Sequence, residues 1–81
     1  MVYVAIADVL AGRIDDGTYP PEARLPAELD LVAEFGASRE SVRRAVDELR
    51  KRGLVETVKG KGTFILPAAE RPNGQNDGAA R

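Results

Sequence analysis

"GASRESVRRAV", residues 36–46, places Arg39, Arg43 and Arg44 in the opening turns of a helix, inside a chain whose formal net charge is −1. Gly36 can take the left-handed conformation that closes a preceding helix. Ser38 is a good N-cap, because its hydroxyl can accept from a free backbone N–H of the next helix. Beyond the cap, Val42, Ala45, Val46 and Leu49 recur at the i, i+3, i+4, i+7 spacing, and Gly53 follows as a stop signal. The spacing predicts a helix from about Arg39 to Arg52. At roughly 100° per residue, Arg39, Arg43 and Arg50 share a second face beside the apolar stripe. Asp47 lies four residues after Arg43 and is expected to pair with it. The first two turns are then the part that can approach a polyanion.

The cations are concentrated in sequence. Residues 1–38 hold Arg13 and Arg24 against seven acids, a net of −5, whereas residues 39–66 hold eight cations against four acids, a net of +4. Such asymmetry favours a polyanionic partner even when the total is near zero. There is no cysteine and no histidine among the 81 residues, which removes disulfides, thiolate metal sites and imidazole catalysis. No metal or cofactor is expected, and no enzyme. The start "MVYVAIADVLAGRIDDG" lacks a basic leader, and Asp8 interrupts its apolar run, so neither a signal peptide nor a membrane span is expected. The expected location is cytoplasmic.

The remaining elements follow from periodicity. Tyr3, Ile6, Ala7, Leu10 and Ile14 form one stripe and predict a helix over about 2–15. "DDGTYPPEARLP" is a loop, with a short extended piece at Ala23–Leu25. Leu31, Val32 and Phe35 predict a short helix over 27–35, with Glu28 and Glu34 toward solvent. After Gly53 the period becomes two: "LVETV" and "GTFIL" read as strands, and "KGKG" between them as a hairpin tip. Residues 1–66 are expected to form one domain and residues 67–81 a disordered tail or linker. The expected fold is mainly α, three helices with a two-stranded antiparallel wing, the winged helix-turn-helix.

The segments "RLP.E..L..EFG.SR.SVR.AV..L...GL" and "GKGTFI" resemble the N-terminal DNA-binding domain of the GntR family of bacterial transcription regulators. The resemblance covers about residues 3–66. It implies sequence-specific binding of double-stranded DNA, with repression as the expected outcome and a homodimer on DNA as the expected assembly. Arg39 and Arg43 would read bases in the major groove, Ser38 and Ser41 would bond phosphates, and Arg44 and Glu28 would belong to the same DNA-binding set. Lys59, Gly60, Lys61, Gly62 and Thr63 would form the wing, whose glycines let the backbone lie close to DNA. The chain departs from the family where Ala27-Glu28-Leu29 replaces Ser-Glu-Arg and where Glu22 replaces a loop glycine. Family members are also usually much longer, so the chain is either a fragment or a stand-alone module.

Plainer readings stand beside these. Arg44, Arg50, Lys51 and Arg52 also suit a solvated helix end, where cations meet the helix dipole favourably. The glycine-lysine tip also serves as a solubilising turn. A winged helix that binds protein rather than DNA is the alternative function.

Overall fold

The structure, a computed structural model, describes residues 1–71. Three α-helices, α1 (Val2–Asp15), α2 (Glu28–Phe35) and α3 (Arg39–Lys51), precede a hairpin of β1 (Val55–Val58) and β2 (Gly62–Ile65). The strands are antiparallel, with Val55 opposite Ile65 and Val58 opposite Gly62. Each helix lies within a residue or two of the span its spacing predicts.

Helix α3 is central, because α1, α2 and β1 all pack against it. Its buried face is Val42, Ala45 and Leu49. Ile6, Ala7, Leu10 and Ile14 cover that face from α1, and Leu31 covers it from α2. Val46 and Phe35, expected in the core, are partly buried at its margin. Burial of such side chains contributes about 1.5–3 kcal/mol each, so loss of the α3 seam would dissolve the domain.

Gly36 ends α2 at φ 61° and ψ 34°, donating its N–H to the Val32 carbonyl at 2.9 Å. Only Gly36, Ala37 and Ser38 then separate α2 from α3. The Ser38 Oγ accepts from the Ser41 N–H at 3.0 Å, the N-cap its position predicts.

The extended piece at Ala23–Leu25 docks on the outer edge of β2. Arg24 bridges Phe64, the Leu25 N–H donates to the Thr63 carbonyl at 2.7 Å, and the Ile65 N–H donates to the Ala23 carbonyl at 2.9 Å. This seats Leu25 and Ile65 in the core. At the hairpin tip the Lys61 N–H bonds the Val58 carbonyl at 2.9 Å, and Gly60 supplies the φ of +78° that the tight turn needs.

A single 3-10 turn, Ala68–Glu70, follows Pro67, and the Arg71 Nε donates to the Leu66 carbonyl at 3.2 Å. The rest of the expected tail, residues 72–81, lies outside the described residues. No described helix is long and apolar enough to cross a membrane.

Candidate nucleic-acid interface

The N-terminal end of α3 projects Arg39 and Arg43 from the molecule, and their side chains are 61% and 62% exposed. Both reach one carboxylate at the start of α2. Arg39 Nη2 lies 3.1 Å from Glu28 Oε1, and Arg43 Nε lies 2.8 Å from Glu28 Oε2. Glu28 was expected to face solvent and is in part exposed at the surface; Arg43 was expected to pair with Asp47, and this the structure corrects. Asp47 bonds Arg50 instead. The reason is tertiary: packing of α2 against α3 brings Glu28 within hydrogen-bonding reach of both arginines, while Asp47 is taken by Arg50. Partial burial pushes the Glu28 carboxyl up, but the hydrogen bonds from Arg43 and then Arg39 outweigh this and hold it below the usual carboxylate range. Exposed pairs of this kind are weak and screened by salt, so a polyanion can compete for the guanidinium groups.

Ser38 and Ser41 differ in what they have left to offer. The Ser38 hydroxyl accepts from the Ser41 N–H and donates to the Ser41 Oγ at 3.0 Å. Its single proton is therefore spent within the cap, and Ser41 keeps its own for a ligand. Arg44 stacks its guanidinium over the Tyr3 ring, 4.4 Å from the centroid, which ties it to α1 beside this surface.

The hairpin flanks α3 across a cleft that Glu28 and Arg43 also line. Lys59 and Lys61 are exposed and make no ion pair among the described residues. Thr63 is half-buried and shares a 2.9 Å hydrogen bond with Thr57, whose Oγ1 also accepts from Arg50 Nη1 at 2.6 Å. A polar chain from α3 through both strands thus fixes the wing against the helix. Gly60 has open space about its missing side chain, as close approach to a ligand requires. Gly62 does not: its free space is filled by the Arg24 side chain. Among the described residues no group of acidic, histidine or cysteine side chains could hold a metal.

A three-helix module with a short α2–α3 turn, a basic α3 end and a lysine-tipped hairpin is an arrangement that comparison with known proteins can place. The family model described as "Bacterial regulatory proteins, gntR family" matches residues 2–65. The chain belongs to that family.

Its gntR-family relatives include the histidine utilization repressor of Pseudomonas putida, 39% identical over 64 residues, covering 79% of this chain and 26% of the repressor. The HTH-type transcriptional regulator GmuR of Bacillus subtilis is 39% identical over 67 residues, covering 83% of this chain and 28% of GmuR. The chain therefore spans about a quarter of the length of these curated relatives. Among solved structures, the DNA-binding domain of AraR in complex with operator ORR3 superposes with a TM-score of 0.75 at 33% identity, covering 79% of this chain and 77% of that one. A GntR family transcriptional regulator from Listeria monocytogenes has the same fold, with a TM-score of 0.82 at 23% identity over 99% of this chain and 71% of the other.

Reading the sequence passed over two arginines that the fold places close to these elements. Arg24 lies beside the wing, and Arg13 braces the scaffold behind it. The Arg13 guanidinium bonds Glu34, donates to the Tyr19 hydroxyl at 2.6 Å and lies 5.5 Å from the Phe35 ring centre. The bond to Glu34, then that to Tyr19, raises its already high pKa. Glu34 faces solvent as expected, and from there it also braces α2 to α1. No local spacing announces such a pair, because its members are 21 residues apart.

Proposed function

We propose that this chain is the DNA-binding module of a transcription regulator, a repressor by analogy with its named relatives, acting on double-stranded DNA in the cytoplasm. The observation that carries the reading is the pair of exposed guanidinium groups on the Ser38-capped end of α3, flanked by a lysine-tipped hairpin. An arginine can donate two parallel hydrogen bonds to O6 and N7 of guanine, a contact of about 1–3 kcal/mol in discrimination. Arg39 and Arg43 take that role, entering the major groove by the end of α3. Glu28 between them can accept from an exposed cytosine amino group, so the carboxylate is part of the reading surface and not merely a counter-ion. Ser41 donates to phosphate, Ser38 sets the helix start, and Arg44 adds charge at the rim. Lys59, Gly60, Lys61 and Thr63 approach the backbone or the minor groove. The resemblance of the AraR domain, seen on its operator, supports this assignment.

One module reads a short site, and two half-sites about one DNA turn apart give useful specificity. The proposed assembly on DNA is therefore a homodimer. A winged helix that binds protein instead would leave the same surface silent toward DNA.

Titration with duplex DNA, followed by amide shifts, separates the two. The amides of Ser38–Arg44 and Gly60–Thr63 are expected to move. Affinity is expected to fall with salt at a log–log slope of about −4 to −5, for roughly 4–6 neutralised phosphates. Unmoved amides, or binding indifferent to salt, would refute DNA binding.

A further inference from the structure

Arg24 follows Ala23 along the edge of β2, with its backbone pinned by the bridge to Phe64 and by the adjacent Leu25 bond to Thr63. Its side chain crosses the hairpin at Gly62. A Cβ built at Gly62 would stand 2.7 Å from Arg24 Nε and 3.3 Å from Cζ and Nη2, so the guanidinium occupies space that a side chain at 62 would contest and would have to shift if one were added. The φ of +126° at Gly62 points the same way.

The crossing delivers Arg24 to a cleft of about 390 Å³ between α3 and the hairpin. The other charged residues of its lining are Glu28, Arg43, Asp47 and Arg50. Both carboxylates are engaged, Glu28 by Arg39 and Arg43, and Asp47 by Arg50. Arg24 has no ion-pair partner among the described residues and is exposed. Arg13 and Arg71, by contrast, spend their guanidinium groups on a carboxylate or a carbonyl of the fold.

What enters the cleft follows from the shape of the duplex, given the DNA-binding reading on which this inference rests. A helix in the major groove and a hairpin at the neighbouring minor groove lie on either side of one sugar–phosphate strand. That strand must pass through the space between α3 and the wing.

We propose that Arg24 is a phosphate clamp for this strand, its backbone fixed on the edge of β2 and its side chain given room to cross at Gly62. Its planar fork suits two oxygens of one phosphate. The contact is blind to sequence, and it fixes how deeply α3 and the wing seat together.

The test uses Arg24→Gln and Arg24→Lys with wild-type protein on several unrelated duplexes across a salt series. Loss of one phosphate contact should lower the log–log slope by about 0.9 and weaken binding about eightfold at 0.1 M salt, equally on every duplex. Arg24→Lys, which keeps the charge, should restore the slope. An Arg24→Gln slope equal to wild type overturns the clamp while leaving DNA binding intact. A wild-type protein that binds no duplex overturns both. Should Arg24→Gln fail to fold, the Arg24 Nε–Hε resonance of the wild type decides: it shifts on adding duplex if the clamp is right. If it stays still while the Ser38–Arg44 amides move, the clamp is wrong.

Discussion

At Glu22 the backbone adopts φ 68°, a left-handed conformation that costs a residue with a Cβ roughly 1–2 kcal/mol. The loop holds it there because the Glu22 N–H donates to the Ile65 carbonyl at 2.7 Å, closing the segment onto the end of β2. A glycine would keep that main-chain bond and relieve the strain, less the extra freedom it gains when unfolded. Glu22→Gly is therefore expected to stabilise the domain by about 0.5–1 kcal/mol, raising the melting temperature by roughly 2–8 °C. An unchanged or lower melting temperature would show that the side chain compensates in a way the backbone angle does not reveal. The glycine usual in the family at this position marks the same demand from the sequence side. Residue by residue, caps and turns were legible, because Ser38, Gly36 and Gly60 act within three or four positions of themselves. The Arg24–Gly62 contact was not, since it joins positions 38 apart that meet only when the loop lies along β2.

Between elements, the Glu28 carboxylate ties the start of α2 to the start of α3. Its pairing with arginine favours the charged form, so its pKa lies below the ordinary value of 4.5. For a carboxyl lowered by folding, the stabilisation is complete above the unfolded pKa and disappears as pH falls through the folded one. The latch is thus intact at neutral pH and opens only in acid, below the normal range of a glutamate. A carbon-detected titration of the Glu28 carboxyl should give a midpoint under 4.5, and Arg43→Ala should move it upward. An ordinary midpoint in the wild type, or one that ignores the mutation, would contradict the pairing. Apolar spacing was enough to read all three helices, because each buries a single stripe. It could not read the ion pairs: Asp47 satisfied the i, i+4 rule with Arg43, but Glu28, 15 residues earlier, was the group the fold delivered. Leu25 escaped for a related reason, as one buried residue in a proline-rich loop has no period to betray it.

In the whole molecule, the sign reversal along the chain becomes a spatial division. Arg24, Arg43 and Arg50 line one cleft between α3 and the hairpin, while Asp8 and Asp15 of α1 lie elsewhere, paired with Arg52 and Arg71. The hydrogen-bonded chain from Arg50 through Thr57 to Thr63 sets the helix and wing at a fixed separation, as two parts of one duplex would require. Family and fold were legible from the motifs between residues 3 and 66. Which cations are paired with neighbours, and with which, became visible only in three dimensions. The central claim is that Arg39 and Arg43 read bases from the capped end of α3, whereas the wing lysines only hold the backbone. Selection of bound duplexes from a random library, run in parallel for wild type, Arg43→Ala and Lys61→Ala, tests it most directly. Wild type should yield a two-fold symmetric motif, Arg43→Ala should lose preference at a guanine position, and Lys61→Ala should keep the wild-type motif at uniformly lower affinity. Identical specificity profiles for the two variants, or no motif for the wild type, would contradict it.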